Sequence, residues 1–161
     1  DTCHLGDRKP GARFDDGFTH KPTFKVDPGR QAVEITYPHL ETGKDEYPKE
    51  LRFNSAMAYW IEYTTAMFRK VQSLKEVTYV GLHNDQPAVR ITMTREQFDG
   101  GLSTLQETIA SHAGVTFQNL GMRQTDDHKA FKEQESFKSK TYKQALALLP
   151  KAQVTISPKL K

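Results

Sequence analysis

Six histidines, His4, His20, His39, His83, His112 and His128, are the side chains best suited to proton transfer or metal binding in this sequence. No two stand at the i, i+3 or i+4 spacing that would aim two imidazoles from one helix at one ion. Asp126-Asp127-His128 is the densest group of potential ligands. A helix start explains it at least as well, because carboxylates are favoured at the positive end of the helix dipole. Asp15-Asp16-Gly17 offers oxygen ligands, yet a cation loop needs more oxygens at regular intervals, so turn chemistry is the simpler account. His83-Asn84-Asp85 falls where a hairpin tip is expected, and polar residues there need no catalytic role.

Cys3 is the single cysteine, which excludes an internal disulfide and a cysteine-built zinc site. The phosphate-binding patterns G-x-x-x-x-G-K-[ST] and G-x-G-x-x-G are absent, as are H-E-x-x-H, C-x-x-C and G-x-S-x-G. The sequence therefore leads us to expect no catalytic residue, no metal site and no cofactor. An enzyme whose site assembles from distant residues is the alternative.

Charge gives a second kind of chemistry. The net charge is +3, but from His128 to Lys161 eight lysines face two glutamates, a balance of +6 that leaves −3 on the remainder. Such asymmetry points to a polyanionic or acidic neighbour for the C-terminal segment, with solubility as the plainer explanation. Lys129, Lys132, Lys140 and Lys143 share one side of an expected helix and could follow a phosphate backbone. A solvated helix face has the same spacing, and Phe131 and Tyr142 project to the other side rather than offering stacking platforms. Tyr59 and Tyr63, one turn apart with Lys70 on the same flank, form a candidate partner interface, since tyrosines are enriched at such surfaces. A sheet laid over that flank would bury them equally well.

The elements that must hold these residues centre on Ser55 to Leu74. Met57, Trp60, Ile61, Thr64, Met67, Phe68 and Val71 recur at helical spacing and make one stripe, with the only tryptophan at its middle. Asn54 or Ser55 is the expected N-cap, and Arg69 and Lys70 suit the C-terminal dipole. Before it, Thr23–Val26 and Gln31–Tyr37 flank Asp27-Pro28-Gly29 as a hairpin, and Tyr47, Leu51 and Phe53 alternate as a short strand. After it, Glu76–Leu82 and Ala88–Met93 make a second hairpin. Thr94 and Gln97 form a capping-box pattern for a helix carrying Phe98, Leu102, Leu105 and Ile109, with Gly114 as its C-cap. Val115–Phe117 reads as a short strand, and a third helix runs from Asp126 or Asp127 to Leu149.

The expected fold is α+β: an antiparallel sheet of two hairpins plus a short strand, with helices on one face. Residues 1–21 read as an irregular N-terminal arm, 22–150 as a single domain, and 151–161 as a basic C-terminal tail. No apolar run approaches the roughly 18 residues of a membrane span. The chain begins with Asp, so a processed N-terminus from organelle import, secretion or viral maturation fits, and the compartment stays open. These readings favour a non-catalytic subunit of a larger assembly, held to other protein subunits through its terminal extensions. A nucleic-acid-binding protein using the basic helix face and the sheet is the alternative.

Overall fold

The computed structural model describes residues 21–40, 48–112 and 124–160, with side chains from 129 onward in the last stretch. The expected strand Val115–Phe117, the Gly114 cap and the arm before Lys21 lie outside them. Five strands form one sheet in the order β1-β2-β3-β4-β5: β1 Thr23–Asp27, β2 Ala32–Tyr37, β3 Glu76–His83, β4 Gln86–Thr94 and β5 Val154–Ile156. Among the described residues three α-helices longer than one turn accompany it, α1 Lys49–Lys70, α2 Leu105–His112 and α3 Gln124–Ala147.

Both expected hairpins form. β1 and β2 pair antiparallel through the Asp27-Pro28-Gly29 turn, where the Asp27 carboxylate accepts from the Arg30 N–H at 3.2 Å. β3 and β4 pair antiparallel around Asn84 and Asp85, whose positive φ values of 51° and 62° match the primed two-residue turns that suit twisted strands. The sheet as a whole is mixed, however, because β2 and β3 run parallel. The cause is α1. A helix of 22 residues returns the chain about 33 Å, so β3 starts beside the start of β2. Antiparallel pairing between the hairpins was expected because each hairpin is antiparallel internally; the crossover between them sets the opposite sense.

α1 begins at Lys49, behind Pro48, with no side-chain cap. Leu51 and Phe53 therefore lie in its first turns rather than in a strand, and Asn54 is interior. Most of the expected stripe is buried: Met57, Trp60, Ile61, Thr64 and Phe68 are all under 3% exposed, and Met67 is partly buried against the core. Val71 ends outside the helix and is exposed. Fully burying such apolar side chains contributes about 1.5–3 kcal/mol each.

One sheet face meets the helices. Val33, Ile35, Val77, Tyr79, Val89, Ile91, Met93 and Ile156 alternate onto it and pack with α1, with Tyr142 and Ala145 of α3, and with Leu149, which lies just past the end of α3 at Ala147 rather than inside it as expected. The opposite face carries Lys25, Glu34, Thr36, Thr78, Arg90, Thr92 and Thr155, with Thr78 and Thr92 hydroxyls 2.9 Å apart. Gly81 is a close-approach glycine: a Cβ there would lie 2.6 Å from Leu40 Cδ1 and 3.2 Å from the Tyr79 hydroxyl.

The helix expected after Thr94 is broken. The capping box is present, Thr94 Oγ1 accepting from Gln97 N–H and Gln97 Oε1 from Thr94 N–H. The helix then widens into a π-turn over Phe98–Leu102, where Gly100-Gly101 interrupts it before α2. The segment from residue 151, read as a tail, supplies β5 on the far edge of β4. Ser157 N–H donates to Ala88 O at 2.8 Å, and Leu160 is buried against α1. The alternation of Val154 and Ile156 was visible in the sequence; three residues are too few to declare a strand without the neighbour they pair with.

Candidate functional site

The two tyrosines of the expected interface do come together. Tyr59 and Tyr63 on α1 stack on each other with centroids 6.2 Å apart, and Tyr37 at the end of β2 stacks on Tyr59 at 4.4 Å. Tyr37 is 6.1 Å from Tyr63, and Tyr63 continues to the fully buried Tyr79 at 6.5 Å. Tyr59 and Tyr63 are half-buried, so the sheet covers part of this flank and leaves part open. Lys70 is exposed at the end of α1, two turns past Tyr63.

Beside this stack the layer of helices stops. Register places Phe24 across from Ile35 and Val26 across from Val33, on the helix-bearing face. Phe24 is nevertheless 52% exposed and Val26 65%. Every residue of β1 is exposed, and among the described residues no strand pairs with its outer edge. Sequence reasoning recognised the strand and missed its position. The signal was present in Phe24 and Val26 alternating with Lys25, but only the order of strands tells an edge from a centre.

Burial pushes the Tyr63 hydroxyl up to about 12, with Glu62 and Tyr59 adding to it. Burial, then Glu135, raises Tyr142 to about 12, and burial raises Tyr79 further still. A native-state value above the unfolded one of roughly 10 means that the stability these groups contribute is full below pH 10 and is lost as pH rises toward 12. Alkaline denaturation should therefore set in between about pH 10 and 12. Tyr142→Phe is expected to flatten that limb in a stability–pH series; an unchanged limb would dismiss Tyr142 as its source. Tyr79 carries a further consequence, because its hydroxyl is buried and has no hydrogen-bond partner among the described residues. Removing an unpartnered polar atom relieves its desolvation, so Tyr79→Phe should stabilise by about 1 kcal/mol in urea titration. A loss of stability would reveal a partner for that hydroxyl.

The four candidate lysines lie along α3, where Lys129, Lys132, Lys140 and Lys143 are all exposed. From Lys129 to Lys143 the helix rises about 21 Å. Among the described residues none of the four has a carboxylate within 4 Å. Lys143 Nζ sits 5.6 Å from the Phe53 ring centre, and Lys140 and Lys143 border a shallow cleft of about 440 Å³ with Glu50, Ser136, Ser139 and Gln144. Lys138, in the apolar arc of the expected helix, is half-buried and bound to Glu135 Oε2 at 2.9 Å. The side chains of Asp126, Asp127 and His128 and the Asp15-Asp16-Gly17 stretch lie outside the described residues. His83 Nδ1 is 3.2 Å from Leu40 O, and His112 stacks on Phe137 with centroids 3.5 Å apart. Among the described residues no three His, Cys, Asp or Glu side chains cluster as metal ligands, and no helix is long and apolar enough to cross a membrane.

Two polar clamps set the geometry that carries these surfaces. Arg95 closes the C-terminal end of α1: its Nε donates to Leu74 O at 2.7 Å, and Nη2 donates to Val71 O at 2.7 Å and Phe68 O at 3.0 Å. Its guanidinium also lies 4.9 Å from the Phe68 ring centre. Asn54 ties α1 to α3, donating to Glu135 O at 2.9 Å and Glu135 Oε1 at 3.1 Å. A third link, between Gln97 and Gln153, joins two amides reciprocally and lets Gln153 Nε2 reach Thr92 O at 2.7 Å. Comparison of the chain with family models, curated proteins and solved structures finds no match.

Proposed function

We propose that this chain is a non-catalytic subunit of a protein assembly, docked through the flank formed by β1 and the tyrosine stack. The observation that carries the reading is the open apolar face of β1, with Phe24 and Val26 more than half exposed beside Tyr37, Tyr59 and Tyr63. Large exposed apolar side chains grouped with aromatics are characteristic of contact surfaces. Lys21 and Pro22 lead into β1, so the point at which the expected tether joins the described fold is on this flank. The C-terminal segment is committed to β5 and acts as part of the rigid body rather than as a second tether.

The test is size fractionation of native extract, with and without nuclease, following the wild-type chain and Phe24→Glu/Val26→Glu. A large nuclease-resistant particle that excludes the variant is the expected result. Equal incorporation of the variant would reject β1 as the docking surface, and a small species throughout would reject the assembly itself.

A second reading, nucleic-acid binding along α3, is favoured by four exposed lysines with no carboxylate partner among the described residues. Each phosphate contact contributes about 0.9 to the salt slope on duplex DNA. Lys132→Glu with Lys140→Glu should therefore lower that slope by about 2. An unchanged slope would remove α3 as the contact surface.

A further inference from the structure

We propose that β1 pairs antiparallel with β1 of a second copy of this chain, about a two-fold axis through Val26; this rests on the assembly reading and names the neighbour at that flank. Charge order on the solvent-facing side of the sheet supplies the argument. The Glu34 carboxylate is 3.3 Å from Arg90 and lies on β2 directly across from Lys25. Positive and negative groups thus alternate toward the sheet edge and stop at Lys25, which faces no strand on its outer side among the described residues. The next strand should place a carboxylate there.

β1 itself has the sequence to do so. In an antiparallel pair centred on Val26, Lys25 stands opposite Asp27 of the second copy, and symmetry makes the same pair again on the other side of the axis. Opposite residues in such a pair share a face, so Val26 meets Val26 and each Phe24 falls diagonal to the other copy's Val26. The two apolar side chains that β1 exposes in each copy, Phe24 and Val26, then form a single strip of four on the helix-bearing face. Centring the pair on Lys25 instead would oppose the two lysines, so the charges select one register. A lysine in a short edge strand normally discourages pairing with an arbitrary strand. Here it restricts the partner to a strand with an acidic residue at one position. Two-fold dimers, in which one patch meets its own copy, are the commonest oligomers.

The experiment uses two variants of the full chain, Lys25→Glu and Asp27→Lys, studied by sedimentation over a concentration series. The wild-type chain should show a monomer–dimer equilibrium. Each variant alone turns two attractive contacts into two repulsive ones and should dissociate at least about tenfold more readily. Mixed in equal amounts, the variants restore both opposite-charge pairs and should form a heterodimer. Val26→Lys, which places two like charges on the axis, should be monomeric when studied alone. Circular dichroism of each variant is the check that these exposed substitutions leave the fold intact. If the Asp27 change disturbs its turn, Lys25→Glu and Val26→Lys still decide the outcome.

A wild-type chain that stays monomeric at every concentration overturns the proposal. So does a dimer indifferent to Lys25→Glu and Val26→Lys, which must use another surface. In either case, loss of Phe24→Glu/Val26→Glu from a native particle would leave the assembly reading standing with a different neighbour. Full retention of that variant would end both.

Discussion

Arg95→Ala is expected to lower the unfolding free energy by about 2–4 kcal/mol, the largest effect of any single polar substitution proposed for this chain. The last carbonyls of a helix have no partner within it, and α1 ends in β-type backbone at Val71 rather than in a glycine cap. Arg95 fills that role from the start of the next helical segment, with one planar fork reaching three carbonyls and lying on Phe68. Hydrogen bonds to a charged group are worth roughly 1.5–3 kcal/mol each, but three on one side chain are not additive, and partial exposure reduces them further. Lysine keeps the charge and loses the fork, so Arg95→Lys should recover less than half of the loss. Urea titration of the three proteins makes the comparison. A deficit below about 1 kcal/mol for alanine would mean that water replaces the guanidinium without penalty.

Asn54→Ala should cost about 2 kcal/mol, because it strands an acceptor pair in the α1–α3 seam. Asn54 is 4% exposed and Glu135 7%. The Asn54 amide is the donor to both Glu135 O and Glu135 Oε1, while Lys138 holds Glu135 Oε2. With the amide gone, one carboxylate oxygen keeps its ammonium and the other is left buried with no donor from α1. Asn54→Asp places a second carboxylate beside the first and should be worse than alanine at neutral pH. Equal stability of the Asp and Ala variants at neutral pH would mean that the seam opens to water and screens the pair.

These two clamps show where the sequence was legible and where it was not. Local periodicity is a property of neighbouring residues, so the α1 stripe, both hairpins and the Thr94–Gln97 box could be read directly. The element types there were right, while the bounds of α1 were not. Arg95 acts on carbonyls 21 to 27 residues earlier, and Asn54 on a partner 81 residues later. Neither partner has a local signature, and Asn54 looked like a helix cap because Asn commonly is one. The start of α1 was misplaced for a related reason: Leu51 and Phe53 alternate like a strand, but both lie in the first turns of a helix, where Phe53 is buried with Lys143 of α3 over its ring.

The candidate surfaces divide in the same way. The lysine side of α3 follows from helical spacing alone, and the structure leaves those lysines exposed. Tyr59 and Tyr63 are one turn apart in any helix, which made them neighbours without saying what they meet. The sequence by itself determined the two hairpins, the central and last helices with most of their buried faces, and the alternation of Phe24, Lys25 and Val26. Only the tertiary structure decided that β2 and β3 run parallel, that the last residues close the sheet as β5, and that β1 is the open edge. The physical reason is that strand order and partnership depend on where a 22-residue helix returns the chain and on which faces remain uncovered after packing. No short window of residues contains that information.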